Sequence, residues 1–373
     1  MPKVSIIVPV YKVENYLERC LKSIMQQTLE DIEIIVADEG DQDRCWEIIS
    51  NAAAQDPRIV TLHEKHGGYG NSVNAGIDRA TGEYIGFVES DDFIEPNMYE
   101  LLYAKGKELD ADIVKSPFFY YYNESREHIA PLTLELCNAL PKDQVFTLEQ
   151  YPVMVSMHPS IWSAIYKAEW LKDTGIRFLE KGAYLDIRFR FETLMSAKRI
   201  AWIDDCTYHW RRTNPTSTNA VWNLNAALER WEFLHDQFRD KPDLWKIFAP
   251  YMIREEYLNL FSKYSLKSCT SAQRKKIREY RALYSDIEIE LCPFLNDDNK
   301  KFYLRGNLSC LAVKRGIRKL YDWVGKDEFE KLSIAVWFAA LITGKLVAAA
   351  TVLFALYWGF LAGVLTLRFF RKI

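Results

Sequence analysis

Gly82-Glu83-Tyr84-Ile85-Gly86-Phe87-Val88-Glu89-Ser90-Asp91-Asp92 is a short, apolar, β-rich run that ends abruptly in three carboxylates. Tyr84–Val88, bounded by Gly82 before it and by charge after it, has the length and residue types of a central strand in an α/β sheet. Acidic groups crowded at the carboxyl end of such a strand repel one another and are costly to desolvate unless a cation sits among them. Oxygen-only ligands favour a hard ion such as Mg2+ or Mn2+, commonly one that also grips a phosphate. The structural alternative is a solvated turn leading into a helix that Pro96 starts.

Outward from that run, the first third of the chain alternates strand and helix patterns. Strands are expected at Val4–Val10, Ile32–Ala37, Ile59–His63, Tyr84–Val88 and Ile113–Ser116. Helices are expected between them, at Glu14–Gln27 (with Leu17, Leu21, Ile24 and Met25 at helical spacing), Asp43–Gln55, Asn71–Ala80 and Asn97–Leu109. Such alternation predicts an α/β fold with a mainly parallel, doubly wound sheet, and ligands of such sheets bind outside the carboxyl ends of the strands. Pro9-Val10-Tyr11, Asp38-Glu39-Gly40 and Glu89-Ser90-Asp91-Asp92 all fall at those ends.

The chain has 373 residues, room for two globular units. Its net charge of −3, with 27% charged residues, supplies no global basic field and argues against nucleic acid as a partner. The seven cysteines are odd in number and scattered, with no CxxC or Cys/His cluster, so neither a disulfide framework nor a zinc site is expected. A first strand starting at Lys3 leaves no room for a signal peptide and points to a cytoplasmic catalytic part.

Residues 117–220 are less regular and rich in aromatics (Tyr120, Tyr121, Tyr122, Trp162, Trp202, Tyr208, Trp210) and are expected to form the second half of the site. Residues 221–331 read as a polar helical region with basic groups such as Arg274-Lys275-Lys276 and Lys314-Arg315. Residues 332–373 are an apolar tail. Leu346–Leu367 lacks any charge and, at about 1.5 Å per residue, is long enough to cross a hydrocarbon core of roughly 30 Å. Arg368, Arg371 and Lys372 follow it, so a single span would oppose the positive-inside tendency. A helical hairpin or a re-entrant helix avoids that conflict, as does burial of the helix in a homo-oligomer. Membrane lipid is the expected partner of this tail, and the cytoplasmic face of the cell membrane the expected location.

The ordered motifs also carry a resemblance. Val4-Ser5-Ile6-Ile7-Val8-Pro9-Val10-Tyr11, Glu33-Ile34-Ile35-Val36-Ala37-Asp38-Glu39-Gly40, Gly67-Gly68-Tyr69-Gly70…Asn74-Ala75-Gly76-Ile77 and the opening run resemble the family 2 glycosyltransferases of the GT-A fold. The likeness is dense over the first 115 or so positions. It continues thinly through Trp162-Ser163-Ala164-Ile165-Tyr166-Lys167, Tyr184-Leu185-Asp186 and Tyr208-His209-Trp210-Arg211.

The resemblance implies an inverting transfer from a nucleotide-diphosphate sugar, most often a UDP-sugar, with Mn2+ or Mg2+ as cofactor. Pro9, Val10 and Tyr11 would hold the donor nucleotide, with Tyr11 beside the base, Asp38 accepting from it and Glu39 near base or ribose. Gly68, Asn74 and Asp92 would complete the donor site. Asp91 would bind the metal, with Glu89 standing where the first Asp of a DxD is usual. Asp186 matches the catalytic base, with Asp173, Asp204 and Asp205 as rivals nearby. His209, Arg211 and Trp162 could meet the donor diphosphate or the acceptor, or serve the fold. Asp41, Val73 and Leu185 depart from the commonest family residues, which are Ser, Arg and Glu. The acceptor expected from tail and motifs together is a lipid-linked glycan of a capsule or exopolysaccharide. Transfer to a polyprenyl phosphate, or an inactive membrane scaffold, are the alternatives.

Overall fold

The computed structural model describes residues 1–214, apart from 41–42, 64–67, 157–159 and 181–184, and scattered positions between 229 and 275, chiefly 240–252. The chain divides into two compact units, Met1–Lys300 and Lys301–Ile373. The apolar tail and its expected spans fall outside the described residues, as does most of the helical region. Among the described residues no helix is long and apolar enough to cross a membrane.

The strands β1 (Val4–Val10), β2 (Ile32–Asp38) and β3 (Ile59–His63) and the helices α1 (Leu17–Met25), α2 (Cys45–Gln55) and α3 (Tyr69–Arg79) begin the fold. After them come β4 (Tyr84–Phe87), β5 (Phe93–Ile94), α4 (Met98–Leu109), β6 (Ile113–Lys115) and a hairpin of β7 (Phe119–Asn123) and β8 (Arg126–Ile129). Then follow α5 (Pro131–Ala139), β9 (Ala164–Lys167), α6 (Ala168–Thr174), α7 (Leu185–Ser196), β10 (Ile200–Trp202) and β11 (Tyr208–Arg211). The elements of the first third lie within three residues of the bounds their periodicity predicts.

The main sheet has seven strands in the order β10-β6-β9-β4-β1-β2-β3. Every residue of β1 and β2 is buried, as a sheet covered on both faces requires. The expectation of a doubly wound, mainly parallel sheet needs one correction. β9 runs antiparallel to both its neighbours, β4 and β6, so the sheet is mixed. The remaining pairs are parallel. Leu17, Cys20, Leu21 and Ile24 of α1 turn inward at helical spacing.

A second sheet, ordered β5-β11-β7-β8, carries the aromatic segment that begins at Phe119. β5 starts directly after Asp92 and pairs antiparallel with β11 (Tyr208 opposite Ile94, His209 opposite Phe93). The three carboxylates therefore do not sit in a solvated turn. They occupy a loop stretched between the main sheet and the second sheet, fixed at both ends.

Candidate active site

β1, β2 and β4 all end at one edge, where Tyr11, Asp38 and Glu39 are placed. Tyr11 leaves β1 with its ring 44% exposed. Asp38, at the end of β2, is 3% exposed, and its Oδ2 lies 3.1 Å from His63 Nδ1 across the β2–β3 pair. Burial pushes the Asp38 carboxyl up, while His63 and the backbone N–H of Gly40 oppose that shift. Glu39, also buried, accepts from the Ser72 hydroxyl at 3.3 Å, and its N–H donates to the Val10 carbonyl. A partly sheltered carboxylate beside an exposed aromatic ring suits a flat, N–H-bearing base.

The loop after β4 holds three carboxylates in three different states. Glu89 is partly buried and accepts from the Tyr69 hydroxyl at 2.6 Å. Burial pushes its carboxyl up to about 8; the Tyr69 hydrogen bond opposes this, and the charges of Asp91 and Asp186 add to it. Asp91 accepts from Asn214 Nδ2 at 2.8 Å, and its carbonyl accepts from Arg211 Nε at 2.7 Å. Burial is also the main cause that lifts the Asp91 carboxyl above its ordinary range.

Asp92 is 1% exposed, and its oxygens accept from the Tyr208 hydroxyl (2.8 Å) and the Arg211 N–H (2.7 Å). The Tyr208 hydroxyl in turn accepts from the Glu89 N–H. Asp92 thus ties the loop to β11 through both carboxylate oxygens.

Glu89 and Asp91 fit a hard divalent cation: two oxygen-only groups, desolvated, with carboxyls raised by their surroundings, a cost that a cation would remove. Such an ion would neutralise charge developing on a departing diphosphate. A second trio, Glu14, Asp43 and Cys45, brings its potential ligand atoms within 4.8 Å of one another. Burial pushes the Cys45 thiol up to about 12, and Asp43 Oδ1 accepts the Cys45 N–H as a turn at the start of α2. A protonated thiol is a poor metal ligand.

Asp186 lies in the first turn of α7, close enough that its charge raises both Glu89 and the Tyr69 hydroxyl. The structure therefore brings Asp186 near the carboxylate loop. Arg211 spans the same region, its guanidinium also 5.0 Å from the Tyr16 ring centre.

Other expected contacts are placed elsewhere. His209 is sandwiched between Phe93 and Phe119, with Nε2 on Glu95 and Nδ1 on Glu127, so both ring nitrogens are used inside the second sheet. Trp162 is 4% exposed and stacks on Tyr208 at 4.1 Å. Asn74 directs its amide to the backbone of Phe178. Gly68, at φ +82°, starts α3 in a conformation that a side chain would strain. Two residues outside the expected set belong to the site, Tyr69 and Asn214. Tyr69 stood inside the quoted Gly-Gly-Tyr-Gly motif; Asn214 carried no pattern of its own.

The sequence model described as "Glycosyl transferase family 2" matches residues 5–173. The Bacillus subtilis protein described as "Uncharacterized glycosyltransferase EpsJ" is 33% identical over 267 residues, covering 70% of this chain and 75% of EpsJ. S. aureus TarS 1–349, solved in complex with UDP-GlcNAc, superposes with a TM-score of 0.62 at 19% identity, over 85% of this chain and 92% of that one. The mannosyltransferase PcManGT from Pyrobaculum calidifontis, solved with GDP-Man and Mn2+, gives a TM-score of 0.51 at 18% identity, over 94% and 86% of the two chains.

Proposed function

The chain belongs to glycosyl transferase family 2, and we propose that it moves a sugar from a nucleotide-diphosphate sugar, a UDP-sugar, onto a lipid-linked glycan with inversion at the anomeric carbon. The observation that carries this reading is the gathering of Asp38, Glu89, Asp91 and Asp186 around one sheet edge, with Tyr11 exposed beside them. The UDP-GlcNAc bound to TarS supports UDP as the nucleotide, while GDP-Man in PcManGT keeps GDP as the comparison to run.

Each residue then has a role. Tyr11 and Asp38 hold the base; Glu89 and Asp91 hold Mn2+ or Mg2+, which supplies the counter-charge for the diphosphate leaving group. Asp186 takes the proton of the attacking acceptor hydroxyl, which needs a carboxylate within hydrogen-bond reach. One base acting opposite the leaving group gives direct displacement and therefore inversion. The apolar tail favours a lipid-linked acceptor at the cytoplasmic membrane face, and the Gly67-Gly68-Tyr69-Gly70 and Glu89-Ser90-Asp91-Asp92 variants, which resemble those of enzymes of bacterial surface polysaccharides, favour capsule or exopolysaccharide synthesis.

The test is turnover with a panel of UDP- and GDP-sugars, followed by product analysis. A new, inverted glycosidic bond on a lipid-linked glycan, lost in Asp186→Asn, is the expected result. A sugar-phosphate lipid would replace this acceptor with a polyprenyl phosphate. Turnover by no donor, or full turnover in Asp186→Asn, would remove the reading.

A further inference from the structure

The helix α3 meets the 178–179 backbone through Asn74 and Gly70. Asn74 Nδ2 donates to the Phe178 carbonyl at 2.8 Å, and Asn74 Oδ1 accepts the Phe178 N–H at 2.9 Å. One amide thus satisfies both main-chain groups of a residue 104 positions away, as a neighbouring strand would. Asn74 is joined by Gly70, where a Cβ would fall 1.9 Å from the Leu179 carbonyl oxygen and 3.4 Å from Leu185 Cδ1. Backbone passes so close there that only glycine fits.

Phe178 carries the contact onward. Its buried ring stacks on Phe189 of α7 at 4.2 Å and 14°. It also meets the Tyr69 ring edge-on at 5.8 Å. Phe189 is three residues after Asp186, so the two lie on neighbouring positions of one helix face. Tyr69, meanwhile, donates its hydroxyl to Glu89 in the carboxylate loop. One connected path therefore runs from Asn74 through Phe178 and Phe189 to the turn that presents Asp186, and branches through Tyr69 to Glu89.

We propose that Asn74 is a positioning residue for transfer: by clamping the Phe178 backbone it sets the helix that carries Asp186 against the metal loop, and it makes no contact with the donor nucleotide. This rests on the reading of Asp186 as the base. A displacement of about 1 Å in such a group can reduce rate by about a hundredfold without altering ligand affinity.

The experiment compares Asn74→Ala, Asn74→Asp and Asp186→Asn with the wild-type full-length protein. Asn74→Asp keeps the acceptor for the Phe178 N–H but turns an oxygen toward the Phe178 carbonyl; it serves if the alanine variant folds poorly. The readouts are the Kd of UDP with Mn2+, kcat and donor KM with the sugar nucleotide that supports wild-type turnover, and amide exchange along 176–196. The expected result is a fall in kcat of tenfold or more, UDP Kd and donor KM within twofold, and faster exchange reaching the first turn of α7. A UDP Kd weakened tenfold with kcat retained would overturn the proposal and return Asn74 to the donor site. So would unchanged exchange in α7, or kcat within twofold of wild type. Full turnover in Asp186→Asn would instead strike the base assignment, and the exchange data would still decide the clamp.

Discussion

Asp91 and Asp92 are adjacent in sequence yet have different hydrogen-bond partners, and alanine at each position tests the separate duties proposed for them. Asp92→Ala removes the acceptor for two groups, the buried Tyr208 hydroxyl and the Arg211 N–H. Leaving a buried donor unsatisfied costs about 1–3 kcal/mol, so the pair amounts to roughly 2–6 kcal/mol. Near the middle of that range, a domain of this size loses about 8–16 °C in Tm. The carboxylate's own desolvation, relieved on its removal, sets the result toward the smaller end. Asp91→Ala loses the hydrogen bond from the Asn214 side chain and the nearby Arg211 charge at a partly exposed position, about 0.5–1.5 kcal/mol or about 1–6 °C in Tm, from which relief of the carboxylate's own burial subtracts. Calorimetric unfolding and titration of UDP with Mn2+ would measure both effects. Asp92→Ala should be destabilised yet, where folded, bind UDP in a metal-dependent way. Asp91→Ala should be stable and lose that dependence. The reverse pattern, a stable Asp92→Ala that has lost its metal dependence, would refute the reasoning.

Glu89 titrates near 8 against an ordinary value of 4.5, so the folded protein holds a proton that the unfolded chain releases. The metal-free protein should therefore lose stability as pH rises from about 5 to 8, while Mn2+ affinity grows over the same window. Glu89→Gln should flatten the stability profile, and a profile unchanged by that substitution would contradict the assignment. Lys115 is fully buried, donates to the Ser160 carbonyl, and is lowered to about 7 by burial and then by the charge of Arg190. Here the unfolded state binds the extra proton, so stability should rise between about pH 7 and 10, a slope that Lys115→Met should abolish in denaturant titrations. Gly70→Ala forces a Cβ into the Leu179 carbonyl and should cost about 1–3 kcal/mol by chemical denaturation, with a loss of turnover beyond what the unfolded fraction explains. Near-normal stability and rate would mean that the 178–180 segment yields easily.

The fold of the first third was legible because each element there is a local pattern: an apolar run in β1 or β2, the spacing of Leu17, Leu21 and Ile24 in α1. The antiparallel direction of β9 was not, since Ala164–Lys167 is apolar whichever way it runs and only its partners Tyr84–Gly86 and Ile113–Lys115 fix the sense. The positions of Asp38 and Asp91 at one sheet edge were legible, because each lies at or just past the end of a strand whose apolar run is plain in the sequence. The site was obscured where a residue's duty depends on a distant partner. The protein partners of Asn74 and Asp92, Phe178 for one and Tyr208 and Arg211 for the other, lie about a hundred positions away and leave no local pattern. His209 likewise has a use only once Glu95 and Glu127 flank it. The departure at Glu89 also gains a physical sense: a side chain one methylene longer than Asp meets the Tyr69 hydroxyl of the Gly-rich motif.

The most direct test of the central claim is thermal unfolding of the detergent-purified protein with UDP, GDP, CDP and TDP, each with and without Mn2+. A ligand at about 100 times its dissociation constant adds roughly 2.7 kcal/mol of stability, well within measurement. The account predicts stabilisation by UDP that requires Mn2+ and vanishes in Asp91→Asn. Indifference to all four nucleotides, with or without metal, would contradict a working donor site at this sheet edge.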